Sequence, residues 1–150
     1  MPHQIDHVLI VDDRPFSRRL LISMCSMLDC RQVLYAEDQD QALAVLNEHP
    51  VEIVLLDWHL AKSEATNVLA AIRAATSDIR HTPVLMLARQ ADRTLIAQLV
   101  DQKADGLVIK PCAATVLAQA MQLAVDRGNN RRRVETNDSN TPNASRRASR

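Results

Sequence analysis

Along the chain, short apolar runs alternate with amphipathic stretches, and each run stops abruptly at polar residues. His7–Val11 (HVLIV) ends at Asp12-Asp13, Gln32–Ala36 (QVLYA) at Glu37-Asp38, and the run Ile53–Leu56 at Asp57. Pro83–Leu87 (PVLML) and Leu107–Ile109 complete the series, the last ending at Lys110-Pro111. Runs this short, rich in β-formers and lacking polar alternation, predict strands buried on both faces. Between them apolar residues recur at helical spacing. Phe16, Leu20, Met24 and Leu28 predict a first helix that Pro15 opens and that ends near Asp29. Ala42, Val45 and Leu46 predict a second over 39–48, with Glu37-Asp38 as its cap; it stops at His49-Pro50, because a residue before proline is pushed out of the α region. Val68, Leu69 and Ile72 mark a third over 64–75, and the polar stretch 76–82 reads as a turn. Leu95, Ile96, Leu99 and Val100 mark a fourth over 92–103. Val116, Leu117, Ala120, Met121 and Ala124 mark a fifth over 112–127.

Five strands alternating with five helices imply an α/β fold, a parallel sheet covered on both faces with right-handed crossovers. A flavodoxin-like (βα)5 doubly wound sheet, strand order 2-1-3-4-5, sets strands one and three side by side at its switch point. The chain of 150 residues is 47% hydrophobic but only 2% aromatic, so its core is built from Leu, Val, Ile, Ala and Met. A formal charge of zero hides an asymmetry: residues 1–126 carry a net −5 and residues 127–150 a net +5. From residue 128 onward apolar residues nearly vanish, and burial cannot offset the entropy of ordering. The expected organisation is a domain over 1–127 followed by a disordered basic tail over 128–150. Cys25, Cys30 and Cys112 are odd in number and show no C-x-x-C spacing, which favours reduced thiols over a disulfide framework or zinc site. The N-terminus has no secretory pattern and no run approaches the roughly 20 apolar residues of a membrane span, so the expectation is a soluble cytoplasmic protein.

The predicted topology gathers Asp12, Asp13 and Asp57 at one rim of the sheet. Three carboxylates at close range repel one another and need a counterion or a raised pKa. All-oxygen ligands with room for water suit Mg²⁺. Lys110 brings a fixed positive charge to the same rim, and its bond to Pro111 is one where a cis peptide is plausible. Such a pocket suits a phosphoryl group, with Asp57 as a carboxylate nucleophile giving an aspartyl-phosphate and the metal and ammonium neutralising the equatorial oxygens.

In VLIVDDRPFSRRLL, VEIVLLDWHL, TPVLML and ADGLVIKP, taken in this order and spacing, residues 7–126 resemble a response-regulator receiver domain of two-component signalling, similar to single-domain chemotaxis-type regulators. The resemblance implies Asp57 as phosphoacceptor and Asp13 and Asp57 as direct Mg²⁺ ligands. It further implies Asp12 as a ligand through water, the His59 backbone carbonyl as another ligand, and Lys110 as a contact to the phosphoryl group. The donor would be a phosphohistidine on a sensor histidine kinase or phosphotransfer protein. The partner or homodimer face would be helix four, strand five and helix five. The protein would be no enzyme beyond catalysing its own phosphorylation and dephosphorylation. His59 and Gln90 fall at positions flanking the attacking water and would tune dephosphorylation.

The chain departs from that pattern in three places. The switch Ser or Thr falls at Ala88, the switch aromatic falls at Leu107, and the loop HLAKSEA lacks the usual Pro and Gly. A hydrogen bond to a charged acceptor is worth about 1.5–3 kcal/mol, or about 10- to 150-fold in a two-state equilibrium, and Ala88 cannot make it. The expected function is therefore a stand-alone regulator with an atypical switch, with Arg89 or the tail as a substitute contact. The alternative is a phosphorylation-independent pseudo-receiver acting as a protein-interaction module. A haloacid-dehalogenase-type enzyme fits less well, because Asp12-Asp13-Arg14 is not the D-x-D that such a site requires. Arg131–Arg133 and Ser145–Arg150 could gain affinity for nucleic acid by counterion release, but 23 residues cannot build a DNA-reading module. His3, His7, His49 and His81 read as ordinary surface or loop residues, and Trp58 as an exposed reporter beside the acceptor.

Overall fold

The computed structural model describes residues 3–61 and 64–140, so the predicted loop through Lys62-Ser63 lies partly outside the described residues. The elements run β1 (His7–Val11), α1 (Pro15–Met27), β2 (Gln32–Ala36), α2 (Gln39–Glu48), β3 (Ile53–Asp57) and α3 (Ala65–Arg73), then a 3-10 turn over Asp78–His81. They continue with β4 (Val84–Ala88), α4 (Arg93–Asp101), β5 (Gly106–Ile109) and α5 (Ala114–Asn140). All strand pairs are parallel, in the order β2-β1-β3-β4-β5. This is the flavodoxin-like arrangement that the alternation predicts.

Alternate residues of the central strands supply two cores. Leu9, Val11, Val54, Leu56, Val84 and Met86 face α2, α3 and α4. Val8, Ile10, Ile53, Leu55, Leu85 and Leu87 face α1 and α5. Each strand buried on both sides is therefore a continuous apolar run. Asp38 and Asp92 cap α2 and α4 by accepting from Gln41 N–H at 2.9 Å and Leu95 N–H at 2.8 Å, filling donors that a helix start leaves unpaired.

Helix α1 corrects the expected stripe. Phe16 is 82% and Leu20 48% exposed, whereas Leu21 and Cys25 are the buried residues, with Ile22, Met24 and Leu28 packed beside them. At 3.6 residues per turn a four-residue step overshoots by about 40°. A stripe drawn at intervals of four therefore begins in solvent and rotates toward the core.

The larger correction is at the C-terminus. Helix α5 does not stop near Arg127 but runs to Asn140, so the first half of the predicted disordered tail is helical; residues 141–150 lie outside the described residues. Gly128 is not a terminator. A Cβ there would stand 2.7 Å from Cγ of Pro83, so glycine lets α5 cross the start of β4 in close contact. Beyond it, charged side chains fasten the helix to the sheet's N-terminal rim. Arg131 reaches both Asp105 oxygens at 3.1–3.3 Å, Glu135 lies 3.1 Å from Nδ1 of His81 and 3.4 Å from Nζ of Lys103, and Arg132 lies 3.5 Å from Asp78. His81, expected at the surface, is buried beneath this segment, and burial lowers its pKa against the opposing pull of Glu135. The neighbouring Arg73 is saturated by Asp105 and by the carbonyls of Arg80, Thr82 and Lys103; burial, then Arg131's like charge, lowers its pKa to about 10.

Candidate phosphoacceptor site

Register delivers the site. Val11 pairs with Leu56, Asp57 with Leu87, and Ala88 with Ile109. The next residues, Asp12 and Lys110, therefore join Asp57 and Ala88 along one edge, at the C-terminal ends of neighbouring parallel strands, where open α/β sheets place their chemistry. Asp12 is 0% and Asp57 1% exposed, and Ala88 is fully buried. The Lys110–Pro111 peptide is cis.

The three carboxylates share a pattern. In each, one oxygen is held by a backbone N–H and the other is buried with no hydrogen-bond partner. Asp12 Oδ1 accepts from Arg14 N–H at 2.9 Å, Asp57 Oδ1 from His59 N–H at 3.2 Å, and Asp13 Oδ2 from Ala61 N–H. Asp12 Oδ2, Asp13 Oδ1 and Asp57 Oδ2 remain. Among the described residues one lysine reaches two of them: Lys110 Nζ stands 3.3 Å from Asp57 Oδ1 and 3.8 Å from Asp12 Oδ2. Among the described residues, one ammonium against three carboxylates leaves a deficit of positive charge, and buried oxygens without donors are costly unless a cation fills them.

Among the described residues, no three His, Cys, Asp or Glu side chains enclose a metal ion by themselves. Mg²⁺ does not ask for such a cage, since it keeps several waters and takes one or two carboxylates plus phosphate oxygens. The three free oxygens fit that mode.

Sequence reading missed Ser17. Its Oγ accepts from Lys110 Nζ at 3.0 Å, aiming the ammonium from α1. Nothing in an isolated serine announces this, because it depends on α1 lying beside the turn after β5. The other predicted positions are placed as follows. Leu107 is half-buried against the core on the α2, α3 and α4 side. Trp58 is half-buried rather than exposed. With His59, Arg89, Gln90, Thr94 and Gln98 it lines a cleft of about 390 Å³, and His59 Nε2 is buried there without a partner.

A family model described as the response regulator receiver domain matches residues 8–122. The chain belongs to that family. Curated relatives of this receiver include the chemotaxis protein CheY of Pseudomonas aeruginosa, 30% identical over 122 residues that cover 81% of this chain and 98% of the relative. CheY-3 of Vibrio cholerae is 28% identical over 80% of this chain and 92% of its own length. Among solved structures, CheY4 of Vibrio cholerae superposes with a TM-score of 0.72 at 23% identity, covering 79% of this chain and 97% of that one. So does the receiver domain of a Pseudomonas aeruginosa sensor histidine kinase with a magnesium ion coordinated in its active-site cleft: TM-score 0.72, 20% identity, 81% and 98% coverage. Receiver domains are signalling proteins rather than classical enzymes, and this one is a CheY-like receiver of two-component signalling. No helix among the described residues is long and apolar enough to cross a membrane.

Proposed function

We propose that the protein is a cytoplasmic response regulator that takes a phosphoryl group onto Asp57 from a phosphohistidine of a sensor histidine kinase or phosphotransfer protein, in a Mg²⁺-dependent reaction. The observation that carries this reading is the state of Asp57: buried, with Lys110 at 3.3 Å on one oxygen and the other oxygen without any partner. The free oxygen is the nucleophile. Asp13 and Asp57, with the His59 carbonyl, would hold Mg²⁺, and Asp12 would hold it through water. When bound, the ion neutralises charge on the transferring group. Lys110, aimed by Ser17, offers a second positive charge to the phosphoryl oxygens. His59 and Gln90, at the mouth of the adjoining cleft, tune access of the hydrolytic water.

Two exposed apolar surfaces support signalling by protein contact. Phe16, Leu20 and Met27 present an unpartnered strip on α1, which begins beside the acceptor and suits a phosphodonor that must reach Asp57. Ile96, Val100 and Ile109 present another on α4 and β5, which suits a downstream protein or a second copy. Arg131 and Arg132 are engaged in ion pairs with the chain's own aspartates, which counts against their binding DNA, while Ser145–Arg150 lie outside the described residues.

Incubation with acetyl phosphate and Mg²⁺ should label the wild type and leave Asp57→Asn unlabelled; an unlabelled wild type would refute the reading. One observation favours the alternative of a phosphorylation-independent interaction module: Ala88 is buried at the rim and has no hydroxyl to give a phosphoryl oxygen. Partner affinity equal in wild type and Asp57→Asn, with and without acetyl phosphate, would select that alternative. Replacing Arg89 by Ala tests the substitute contact, and an unchanged partner affinity of the phosphorylated form would remove it.

A further inference from the structure

At the far end of α1 from the acceptor, the chain turns in a way that sets two thiols face to face. Cys30 N–H donates to the Cys25 carbonyl and Asp29 N–H to the Ser26 carbonyl, both at 3.1 Å, with Asp29 in the left-handed region at φ 60°. This pair of bonds is a Schellman closure, whose geometry brings the residue five positions on back against the last turn's inner side chain. Here those two side chains are both cysteines, Cys25 within the apolar cluster on the α1 and α5 side and Cys30 packed against it. Cys25 is fully buried. Cys30 is partly exposed and opens on a cleft of about 270 Å³ lined by His3, Gln4, Leu28, Met121 and Gln122. Asp6, Asp29 and Glu52 bring negative charge toward Cys30, with Asp6 paired to Arg31 at 3.7 Å and Glu52 to His3 at 3.1 Å.

We propose that Cys25 and Cys30 form a redox modification site, in which Cys30 captures a low-molecular-weight disulfide, cationic in preference to anionic, and Cys25 resolves it to an intramolecular disulfide. In the first step Cys30 gives up its proton and its sulfur attacks one sulfur of the small disulfide. That S–S bond breaks, and the released half takes the proton. In the second step the Cys25 sulfur attacks the Cys30 sulfur of the mixed disulfide, the second half leaves, and it takes the proton lost by Cys25. The two protein thiols are oxidised by two electrons, and the small disulfide is reduced to two thiols.

Accessibility sets the order of the steps, because the buried Cys25 meets no solute until Cys30 carries one. Burial, helped by Cys30, pushes the Cys25 thiol up to about 12. Burial also raises Cys30; the neighbouring Cys25 thiol opposes that rise, and the nearby acids add to it. Thiolate is therefore scarce at neutral pH, so the exchange is slow and speeds up with rising pH; equally, such thiols leave slowly once joined. The device is a slow, persistent latch rather than a fast peroxide sensor. The acids also choose the reagent, since a cationic disulfide is drawn to Cys30 and an anionic one is repelled.

The test treats the full reduced chain with cystamine and, separately, with glutathione disulfide, followed by tryptic mass mapping. The peptide Leu20–Arg31 carries both cysteines, and Cys112 serves as the internal comparator because it has no thiol neighbour. The expected result is a Leu20–Arg31 peptide lighter by two hydrogens and a retained cysteamine adduct on Cys112. Cystamine should act about tenfold faster than glutathione disulfide at low salt, with the ratio shrinking as salt rises. Cys25→Ala should turn Cys30 into a stable adduct. The proposal is overturned if wild-type Cys30 keeps its adduct. It is equally overturned if the peptide stays a dithiol while Cys112 is modified, or if the two reagents act equally fast at low salt.

Discussion

Asp57 and Asp105 are both buried aspartates, at opposite ends of the same parallel sheet, and the chain treats them in opposite ways. Asp105 Oδ2 accepts from Arg73 at 2.8 Å, from Val84 N–H at 2.9 Å and from Arg131 at 3.1 Å, and its other oxygen accepts from Arg131 again. Nothing is left for a ligand. Asp57 shares Lys110 with Asp12 and, among the described residues, keeps an oxygen without a hydrogen-bond partner. The difference separates a saturated carboxylate from an under-served one better than burial does, since the two are 5% and 1% exposed. A saturated acid ties elements together. An under-served one stores an electrostatic deficit that a divalent cation and a phosphoryl group can satisfy.

The contrast predicts that charge removal costs stability at one rim and activity at the other. Asp105→Ala leaves Arg73 and Arg131 facing each other in the interior without their counterion. It should lower unfolding stability in urea by about 3–5 kcal/mol, the cost of stranding a buried charge, while the folded fraction still accepts phosphate on Asp57. Gly128→Ala tests whether the α5 extension belongs to this rim. Alanine is the better helix former by up to about 1 kcal/mol, but its methyl meets the Pro83 ring, so a net loss of about 1–3 kcal/mol from overpacking is expected in the same measurement. At the acceptor rim, Ser17→Ala removes the oxygen that aims Lys110. It should slow acetyl-phosphate labelling about two- to tenfold, the worth of one hydrogen bond, with little change in urea midpoint.

The smallest effect concerns His81. Its folded pKa lies below the ordinary 6.5, burial being the main cause, with Arg80, Arg131 and Arg132 adding to the shift and Glu135 opposing it. The unfolded chain therefore takes up this proton first as pH falls. The histidine contributes no penalty above its unfolded pKa and an increasing one as pH drops through 6.5 toward the folded value. His81→Gln should flatten that part of the stability curve, read from thermal midpoints between pH 7.5 and about 5. An unchanged slope would place the acid sensitivity elsewhere.

The acceptor rim was the more legible of the two in the sequence. Asp12 follows HVLIV, Asp57 follows IVLL and Lys110 follows LVI, so periodicity and topology together placed them. The opposite rim was illegible for a physical reason. Arg131, Arg132 and Glu135 lie in a segment whose composition offers no apolar face, and composition alone cannot reveal that partners wait on the 3-10 turn and in the connection from α4 to β5. Their pairing with Asp78, His81, Lys103 and Asp105 depends on α5 continuing past Gly128, a residue that ordinarily signals a helix end. Ser17 and the Cys25–Cys30 contact were hidden for a related reason, being products of how α1 lies and how it closes.

The most direct measurement is to trap the acyl phosphate. The wild-type chain is incubated with acetyl phosphate and Mg²⁺, reduced with borohydride, digested, and searched for the aspartate that has become homoserine. The account predicts conversion at Asp57, dependent on Mg²⁺, and none at the equally buried Asp105. Conversion at Asp12 or Asp13 in its place, or none at any aspartate, would contradict it.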